Sequence, residues 1–334
     1  MKKPIILVLL ILIAFSVDGV AQFTEIKRIQ LPDNHLIGSI MGIDVLGNSF
    51  LITDMQEQVF LFKDGTDELI PLNPEDCFPG FDFKPIHTFH LADSSIFLIN
   101  ASLPGYRFEA DGSCRGSVED DFIQVPPGKL AVDDDEDRNH FYTLRAFPNQ
   151  PLRFKSYQET GRLVGESELI KPKFPNFINR FESGGTAVHD GILYYMLPSG
   201  AEIYRYDIKR NVSIESIPFE PEYRTAIDVD ISADPSQITK DLDEIRDDHY
   251  WVSSMFKLSE EYVLIQTHFR EGEEYKYGIH FINLKTNEVE EQYAIFEQSF
   301  SFARDNKAYR VFDERMEDDN VLNPGIVVYE FTGN

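Results

Sequence analysis

Nine polar side chains are the candidates for ligand binding in this chain of 334 residues. They include carboxylates, guanidinium groups, imidazoles and one amide, which are groups that can hold an anionic or sugar-like ligand. Each follows a strand-like apolar run or lies in a polar stretch between two such runs. For any one of them, a solvated loop is the simpler explanation. The candidates are Asp54, Asn100, Arg145, Arg180, Glu182, Asp248, His249, His268 and Arg270.

Some of these candidates carry the oxygen ligands that calcium prefers. A calcium-dependent hydrolase would need several of them to converge on one cation, and no motif fixes such a convergence. We therefore predict no metal site and no cofactor, and Ca²⁺ is the one ion that the composition leaves open. The residues that could converge in principle are Asp54, Asn100, Glu182 and Asp248.

Other patterns that could carry chemistry are weak. His87 and His90 lie three residues apart on a predicted strand, so they point to opposite faces and cannot share a metal. The acidic run 133–137 lacks the spacing of a helix-loop-helix calcium site, and a solvated turn is expected there. No G-x-S-x-G motif marks a serine hydrolase. Cys77 and Cys114 lack metal-ligand spacing, and the repeat register places them at opposite faces, which argues against a disulfide.

The first 21 residues predict a secretory signal peptide. Lys2 and Lys3 precede an apolar run of about 14 residues, shorter than the roughly 20 that span a bilayer. Small residues then lead to a cleavage site after Ala21. The mature chain is therefore expected in the periplasm or outside the cell, and no Cys follows the apolar run to carry a lipid anchor.

The formal net charge of the chain is −26. Nucleic acids and anionic membrane surfaces would be repelled by such a charge, so neither is expected as a partner. The acidity is explained either by solubility outside the cytoplasm or by an acidic face for a basic partner or for cations.

Strand-like segments recur in six units with a period of roughly 45 to 50 residues, which is typical of β-propellers. Each unit has a first strand, a turn, a second and a third strand, with alternating apolar residues and many β-branched or aromatic side chains. We therefore predict an all-β fold, a single six-bladed β-propeller over residues 22–334 with four-stranded antiparallel blades. The second strands begin near Phe50, Ile96, Phe141, Ile192, Tyr262 and Ala308.

The sixth unit lacks an outer strand, because little sequence follows its third strand, GIVVYEF. Residues 23–31 precede the first unit and are predicted to supply that strand. This pairing would close the ring and remove an exposed sheet edge. The alternative is a disordered N-terminal arm.

One insertion, at about 220–249, interrupts the period between units four and five. Asp234, Pro235 and Gln237 are typical of a helix start, and the following apolar residues share one face. The pattern predicts a helix over residues 235–247. The helix could pack over the mouth of the central channel or cover a blade edge.

The phrases FLITD…VFLFKDG, YRFEADG and YRYDI resemble the six-bladed TolB-like and NHL-type β-propellers of bacterial exported proteins. The resemblance extends over nearly the whole mature chain. It implies a platform that binds proteins or ligands on one face. It also admits an enzyme, because some related six-bladed propellers are calcium-dependent lactonases and others are lyases.

We therefore expect an exported, monomeric binding module whose partner is an unknown protein or a small carbohydrate-like ligand. That partner would dock on the face formed by the loops between second and third strands and by the blade connections. The alternative is a metal-dependent hydrolase of the lactonase type, or a sugar lyase, with its site at the channel mouth. An enzyme needs convergent ligands or a paired acid and base, whereas a binder needs an exposed aromatic and charged patch.

Overall fold

The computed structural model describes residues 23–73, 85–100, 105–117, 129–133, 140–145, 150–174, 184–231, 234, 236–291, 293–312 and 323–333. Within these ranges the chain forms six small antiparallel sheets arranged in a ring, one for each repeat. The six-bladed β-propeller expected from the sequence is therefore confirmed. The described chain is almost entirely β, with one short helix.

The strands follow the repeat order, and the first strand of each blade lies nearest the central channel. Blade one contains β2 (Ile40–Leu46), β3 (Ser49–Asp54), β4 (Val59–Lys63) and β5 (Leu69–Pro71). Blade two contains β6 (Pro85–His90), β7 (Ile96–Asn100), β8 (Tyr106–Phe108) and β9 (Cys114–Ser117). Blade three contains β10 (Lys129–Val132), β11 (His140–Arg145), β12 (Arg153–Gln158) and β13 (Leu163–Glu168).

The remaining blades continue the same pattern. Blade four contains β14 (Gly185–His189), β15 (Ile192–Met196), β16 (Glu202–Asp207) and β17 (Val212–Pro218). Blade five contains β18 (Trp251–Lys257), β19 (Tyr262–Glu271), β20 (Glu274–Asn283), β21 (Glu288–Val289) and β22 (Ala294–Phe296). Blade six contains β23 (Phe302–Arg304), β24 (Lys307–Phe312), β25 (Gly325–Phe331) and β1 (Phe23–Gln30).

Tight turns join the third and outer strands of blades one and two. Gly65 and Gly112 adopt φ angles of 88° and 85°, in the left-handed region that glycine enters without a Cβ clash. These turns reverse the chain within a few residues, so each blade can form from a local segment. We call this end of the propeller the turn face and the opposite end the loop face.

Apolar side chains from adjacent blades pack together to form the core. Phe89 and Phe97 of blade two stack at 5.4 Å between ring centroids, and Phe141 and Tyr157 of blade three stack at 5.1 Å. Phe141 also lies 5.2 Å from both Phe89 and Phe97. The blades are therefore held to one another by interlocking aromatic rings that are buried from solvent.

The N-terminal strand closes the ring, as predicted. Strand β1 pairs with β25 in antiparallel register from Phe23 opposite Phe331 to Gln30 opposite Gly325. The ring of Phe23 lies 5.0 Å from that of Phe300 and 5.3 Å from that of Phe331. The two ends of the described chain are thus joined in one sheet.

Blade five departs from the repeat in its outer part. Strands β19 and β20 have 10 residues each, whereas other blades use shorter strands. Its outer segment forms two short strands that both pair with β20, so this blade has one strand more than the four expected of each blade. Strand β20 is long enough to pair with both short strands along one edge.

The insertion carries the helix α1 (Ile238–Asp248), which begins three residues later than predicted. The Asp234 carboxylate instead accepts bonds from the backbone N–H and hydroxyl of Ser236, which forms a turn before the helix. Residues Ile238 and Ile245 pack against Trp251 and against three further apolar side chains. The helix therefore covers the loop-face end of blade five, and none of its described side chains lines the central channel.

No helix within the described ranges is long and apolar enough to cross a membrane.

A buried polar network fixes the start of the insertion against blade five. The Tyr223 hydroxyl lies 2.7 Å from Nε2 of His280 and 2.5 Å from the Thr267 hydroxyl. A Cβ atom at Gly278 would lie 2.1 Å from the Tyr223 hydroxyl oxygen, so only glycine leaves room for this arrangement. Burial lowers the pKa of His280 to about 3, because the interior disfavours the charged imidazolium.

Cys114 is disulfide-bonded, and the expectation of unbonded cysteines is wrong. The chain holds two cysteines, so the partner is Cys77, which lies outside the described residues. Cys114 and Ile70 of the preceding blade pack against the same apolar cluster, and Ile70 lies a few residues before the connection that contains Cys77. The register within each repeat did not reveal this bond, because it does not show that the turn before the outer strand of blade two lies against Ile70 of blade one.

Truncating Phe23 should weaken ring closure. We expect Phe23→Ala to lower the free energy of unfolding by about 3 kcal/mol, because a buried aromatic ring is lost from the junction. Urea denaturation measures the change. Ile26→Ala on the same strand is the control, since Ile26 is 47% exposed and its truncation should cost about 0.5 kcal/mol or less. Equal losses in both variants would contradict the closing role of Phe23.

Removing the disulfide should also destabilise the fold. It closes a loop of roughly 40 residues, so Cys114→Ser should cost about 4 kcal/mol, a value set mainly by the entropy of the unfolded chain. Urea denaturation with and without a reductant measures the loss. The double variant with Cys77→Ser should match the single one, and an unchanged midpoint on reduction would contradict the bond.

Stability should fall in mild acid because of His280. The pKa of its imidazole is near 3 when folded and about 6.5 when unfolded. Above about pH 6.5 the imidazole is uncharged in both states and does not lower the free energy of unfolding. As the pH falls from 6.5 toward 3, only the unfolded state gains the proton, so the free energy of unfolding decreases. We expect a loss of about 2 kcal/mol between pH 7 and pH 5, measured by urea denaturation. His280→Gln should remove this component while His249→Gln retains it, and an unchanged pH dependence in His280→Gln would refute the assignment.

Candidate functional site

The first strands of all six blades line a central cavity of about 670 Å³. Its loop-face rim includes Met55, Glu57 and His87, and Lys257 lines it toward the turn face. Met41 and Met55 are 70% and 65% exposed at this rim. The cavity is therefore open beside an apolar, flexible edge, a kind of surface that adapts to different partners.

Asp54 lies at this rim, and its carboxylate is buried. Oδ1 accepts bonds from the backbone N–H groups of Gln56 and Gln58, each at 2.9 Å, and Oδ2 accepts one from Gly38 at 3.0 Å. These bonds hold the loop that presents Met55. The carboxylate thus shapes the rim through the backbone.

Two further candidates lie on other blades. Asn100 ends β7 opposite Pro85, so its backbone is at the loop face of blade two. Arg145 ends β11 directly opposite Arg153. Burial, and then the neighbouring Arg153, lower the pKa of Arg145 below its ordinary value. Candidates Arg180 and Glu182 lie outside the described residues.

The structure brings four candidates together at the loop-face end of blade five. His249 follows α1, and its backbone N–H donates to the carbonyl of Ile245. Its Nδ1 lies 3.1 Å from the Thr225 hydroxyl. Asp248 is the last helical residue and is exposed. The helix end therefore presents an acidic residue and an imidazole beside each other.

His268 and Arg270 reach the same region from β19. They are two residues apart, so their side chains share one face of the sheet. The His268 ring lies 4.9 Å from that of Trp251 and 6.1 Å from that of Tyr275. Arg270 donates from Nη1 to Oδ1 of Asp247 at 3.2 Å. We call Asp247, Asp248, His249, His268, Arg270 and Tyr275 together the blade-five surface.

This surface rests on a rigid base. Trp251 is buried under α1 together with Phe174, Ile227 and Ile231. The hairpin of β19 and β20 supports the other side, with Arg270 directly opposite Tyr275. Tyr275 remains 41% exposed. An exposed aromatic ring on a fixed base is the kind of side chain that contributes most to binding.

Sequence reasoning missed the aromatic members of this region. Tyr275 and Tyr277 alternate on β20, and a period-two search extended over all ten residues of that strand would have placed them on one face. It also missed a hydrogen-bonded chain between blades one and two, in which Asp44 lies 2.7 Å from Nδ1 of His90 and Nε2 lies 3.0 Å from the Ser49 hydroxyl. His90 is 1% exposed, so this chain joins two first strands inside the core.

Within the described ranges, no group of three or more His, Cys, Asp or Glu residues is placed to hold a metal ion. His87 lines the cavity while His90 bonds Asp44. The two histidines thus point apart, as their spacing predicts.

Comparisons with known proteins agree with the fold. A candidate exported protein of Bacteroides fragilis NCTC 9343 is similar with a TM-score of 0.61 at 14% identity, over 95% of this chain and 98% of that chain. Hydrazine synthase of Kuenenia stuttgartiensis gives a TM-score of 0.47 at 9% identity, over 77% of this chain and 67% of that chain. The Dos1 propeller gives 0.46 at 10% identity, over 92% of this chain and 75% of that chain.

Searches by sequence add no relative. No family model matches the chain, and no curated protein matches it. Structural likeness at 14% identity shows the fold alone, and the two scores below 0.5 carry no argument. The comparisons therefore support a β-propeller and leave its function to the residues themselves.

Proposed function

We propose that this protein is an exported β-propeller that acts as a binding module, with its partner docked on the blade-five surface. The main support for the proposal is the loop-face end of blade five. There the exposed Tyr275 lies beside the Arg270–Asp247 ion pair. Long strands and a packed helix support that end. A surface of this kind combines an aromatic anchor with charged groups around it.

Charge favours a basic protein as the partner. The whole chain has a net charge of −26, and the insertion contributes exposed acids next to the proposed surface. Asp247 and Asp248 occupy the last turn of α1, where the helix dipole disfavours negative charge. Asp247 is offset by Arg270, whereas Asp248 is exposed. A cationic group of the partner would stabilise Asp248, and this would account for an acid at the negative end of the helix.

The export and subtype proposals rest on the sequence. Residues 1–21 have the pattern of a signal peptide, and one structural neighbour is a candidate exported protein. The repeated phrases favour the TolB-like and NHL-type propellers within the six-bladed fold. These features support a binding platform in the periplasm or outside the cell.

The lactonase-like alternative has no specific observation in its favour. It needs three or four oxygen ligands that converge on a cation in the channel. Within the described residues no metal-holding group of three is found, and Asp54 already accepts three backbone bonds. The blade-five surface, by contrast, consists only of described residues.

The double variant Asp248→Lys/Tyr275→Ala tests the docking site. The partner would be isolated from the exported fraction of the producing cells on the wild-type protein, and its dissociation constant measured with each variant. We expect the constant to rise at least about tenfold, since a central aromatic anchor and a charge contact are lost together. Asp248→Lys alone should raise the free energy of unfolding by about 0.3–1 kcal/mol, because it matches the helix dipole.

The control makes the same change of charge, and a smaller truncation of an exposed apolar side chain, on blade four. Glu215→Lys/Val212→Ala alters two exposed residues of β17, away from the proposed surface, and should leave the dissociation constant unchanged. Equal affinity of the wild type and Asp248→Lys/Tyr275→Ala would overturn the docking site. Retention of a carbohydrate alone would overturn the protein class of the partner.

A further inference from the structure

Two methionines are exposed at the loop-face rim of the central cavity. Met41 and Met55 are 70% and 65% exposed, and both line the cavity. The other methionines within the described ranges are buried. Met255 also lines the cavity but is 4% exposed, and Met196 is 2% exposed. The described methionines therefore form one exposed pair and one buried pair.

A β-bulge places Met41 at this rim. The register between β2 and β3 shifts between Ile40 and Gly42, so Met41 is the extra residue of the bulge. A bulge of this kind bends the strand and re-aims a side chain. Ile40 lies opposite Asp54, and Met55 directly follows Asp54. The two methionines therefore adjoin the same strand pair at the loop-face end of blade one.

The backbone around Met55 is fixed by hydrogen bonds. The N–H of Met55 donates to the carbonyl of Ser39 at 2.9 Å, which ties it to the start of β2. The buried carboxylate of Asp54 accepts bonds from three backbone N–H groups of the surrounding loops. The position of the residue is thus held from below, while its flexible thioether side chain extends into solvent.

An exposed thioether differs chemically from other exposed apolar groups, which are common on protein surfaces. Its sulfur is oxidised to a sulfoxide, a reaction that hydrocarbon side chains do not undergo. Disulfides persist in oxidising compartments, and Cys114 is disulfide-bonded. Within the described residues no free thiol competes for an oxidant. The exposed methionine sulfurs are therefore accessible targets in the compartment that the disulfide indicates.

We propose that Met41 and Met55 form a reversible oxidation site at the rim of the central cavity, with hydrogen peroxide as the oxidant. The sulfur lone pair attacks one peroxide oxygen, so an S–O bond forms and the O–O bond breaks. The second oxygen leaves as water with both hydrogens. The sulfur is oxidised to the sulfoxide and the peroxide is reduced. Sulfoxide reductases restore the thioether.

Oxidation at this site changes the rim and leaves the core intact. A sulfoxide is polar, so the apolar edge beside the cavity gains hydrogen-bond acceptors. Met196 and Met255 pack in a core cluster shared by blades four and five, where the same change would disrupt packing. The oxidation site lies on blade one and does not depend on the partner proposed for blade five.

Limited treatment with hydrogen peroxide, followed by peptide mapping with mass spectrometry, tests the site. The exposed pair is at least 65% exposed and the buried pair at most 4%. We therefore expect Met41 and Met55 to gain oxygen at least about tenfold faster than Met196 and Met255. The midpoint of thermal unfolding should stay unchanged at that stage. Retention on a hydrophobic-interaction column should fall, and methionine sulfoxide reductases should restore it.

The double variant Met41→Leu/Met55→Leu separates the rim from other sites. Leucine keeps the apolar area but forms no sulfoxide, so peroxide should leave the column retention of this variant unchanged. Met196→Leu is the matched control, because it removes a buried methionine at a small packing cost. This control should lose retention as the wild type does. All compared proteins carry Met316→Leu, since Met316 lies outside the described residues.

Two results would overturn the proposal. One is oxidation at similar rates of all four described methionines. The other is an equal loss of column retention in the wild type and in Met41→Leu/Met55→Leu. Retention that the reductases do not restore would contradict the reversibility of the site.

Discussion

The pairing of β1 with β25 is the constraint on which the rest of the structure depends. Each blade exposes its outer edge, and a sheet edge left open is available for unwanted pairing. The pairing joins the N-terminal segment to the last described strand across the whole chain. Once the ring is closed, every first strand has a neighbour on both sides, and the central cavity acquires a fixed outline. Aromatic side chains pack around Phe23, so this junction is part of the hydrophobic core.

Closure also explains why blade five can differ from the others. Its first strand is held by blades four and six, so its outer part can carry longer strands and an insertion without opening the ring. The Tyr223 hydroxyl and His280 tie the start of that insertion down, and Trp251 supports its helix. The exposed groups of the blade-five surface are thus placed by buried ones. Rigid support of this kind lowers the entropy lost when a partner binds.

The sequence allowed the fold to be predicted because the signals are local. Alternating apolar residues and turns such as Asp64–Gly65 mark each blade within a short segment, and the missing outer strand pointed to β1. The disulfide of Cys114 was mispredicted because it depends on how adjacent blades pack against each other, which the register within one repeat does not show. For the site, loop position placed His249 and Arg270 correctly at the loop face. Tyr275 was missed, because its importance depends on its exposure.

The proposed docking site carries a charge that opposes a local preference. Asp248 lies at the negative end of a helix dipole, where an acid is disfavoured. Elsewhere the chain agrees with its local preferences. Apolar and polar side chains alternate along strands, glycines occupy left-handed turn positions, and aromatic rings fill the space between blades. Departures from such consistency are expected where a protein meets its ligands. In this propeller such a departure lies at the loop-face end of blade five, which is where a basic partner is proposed to dock.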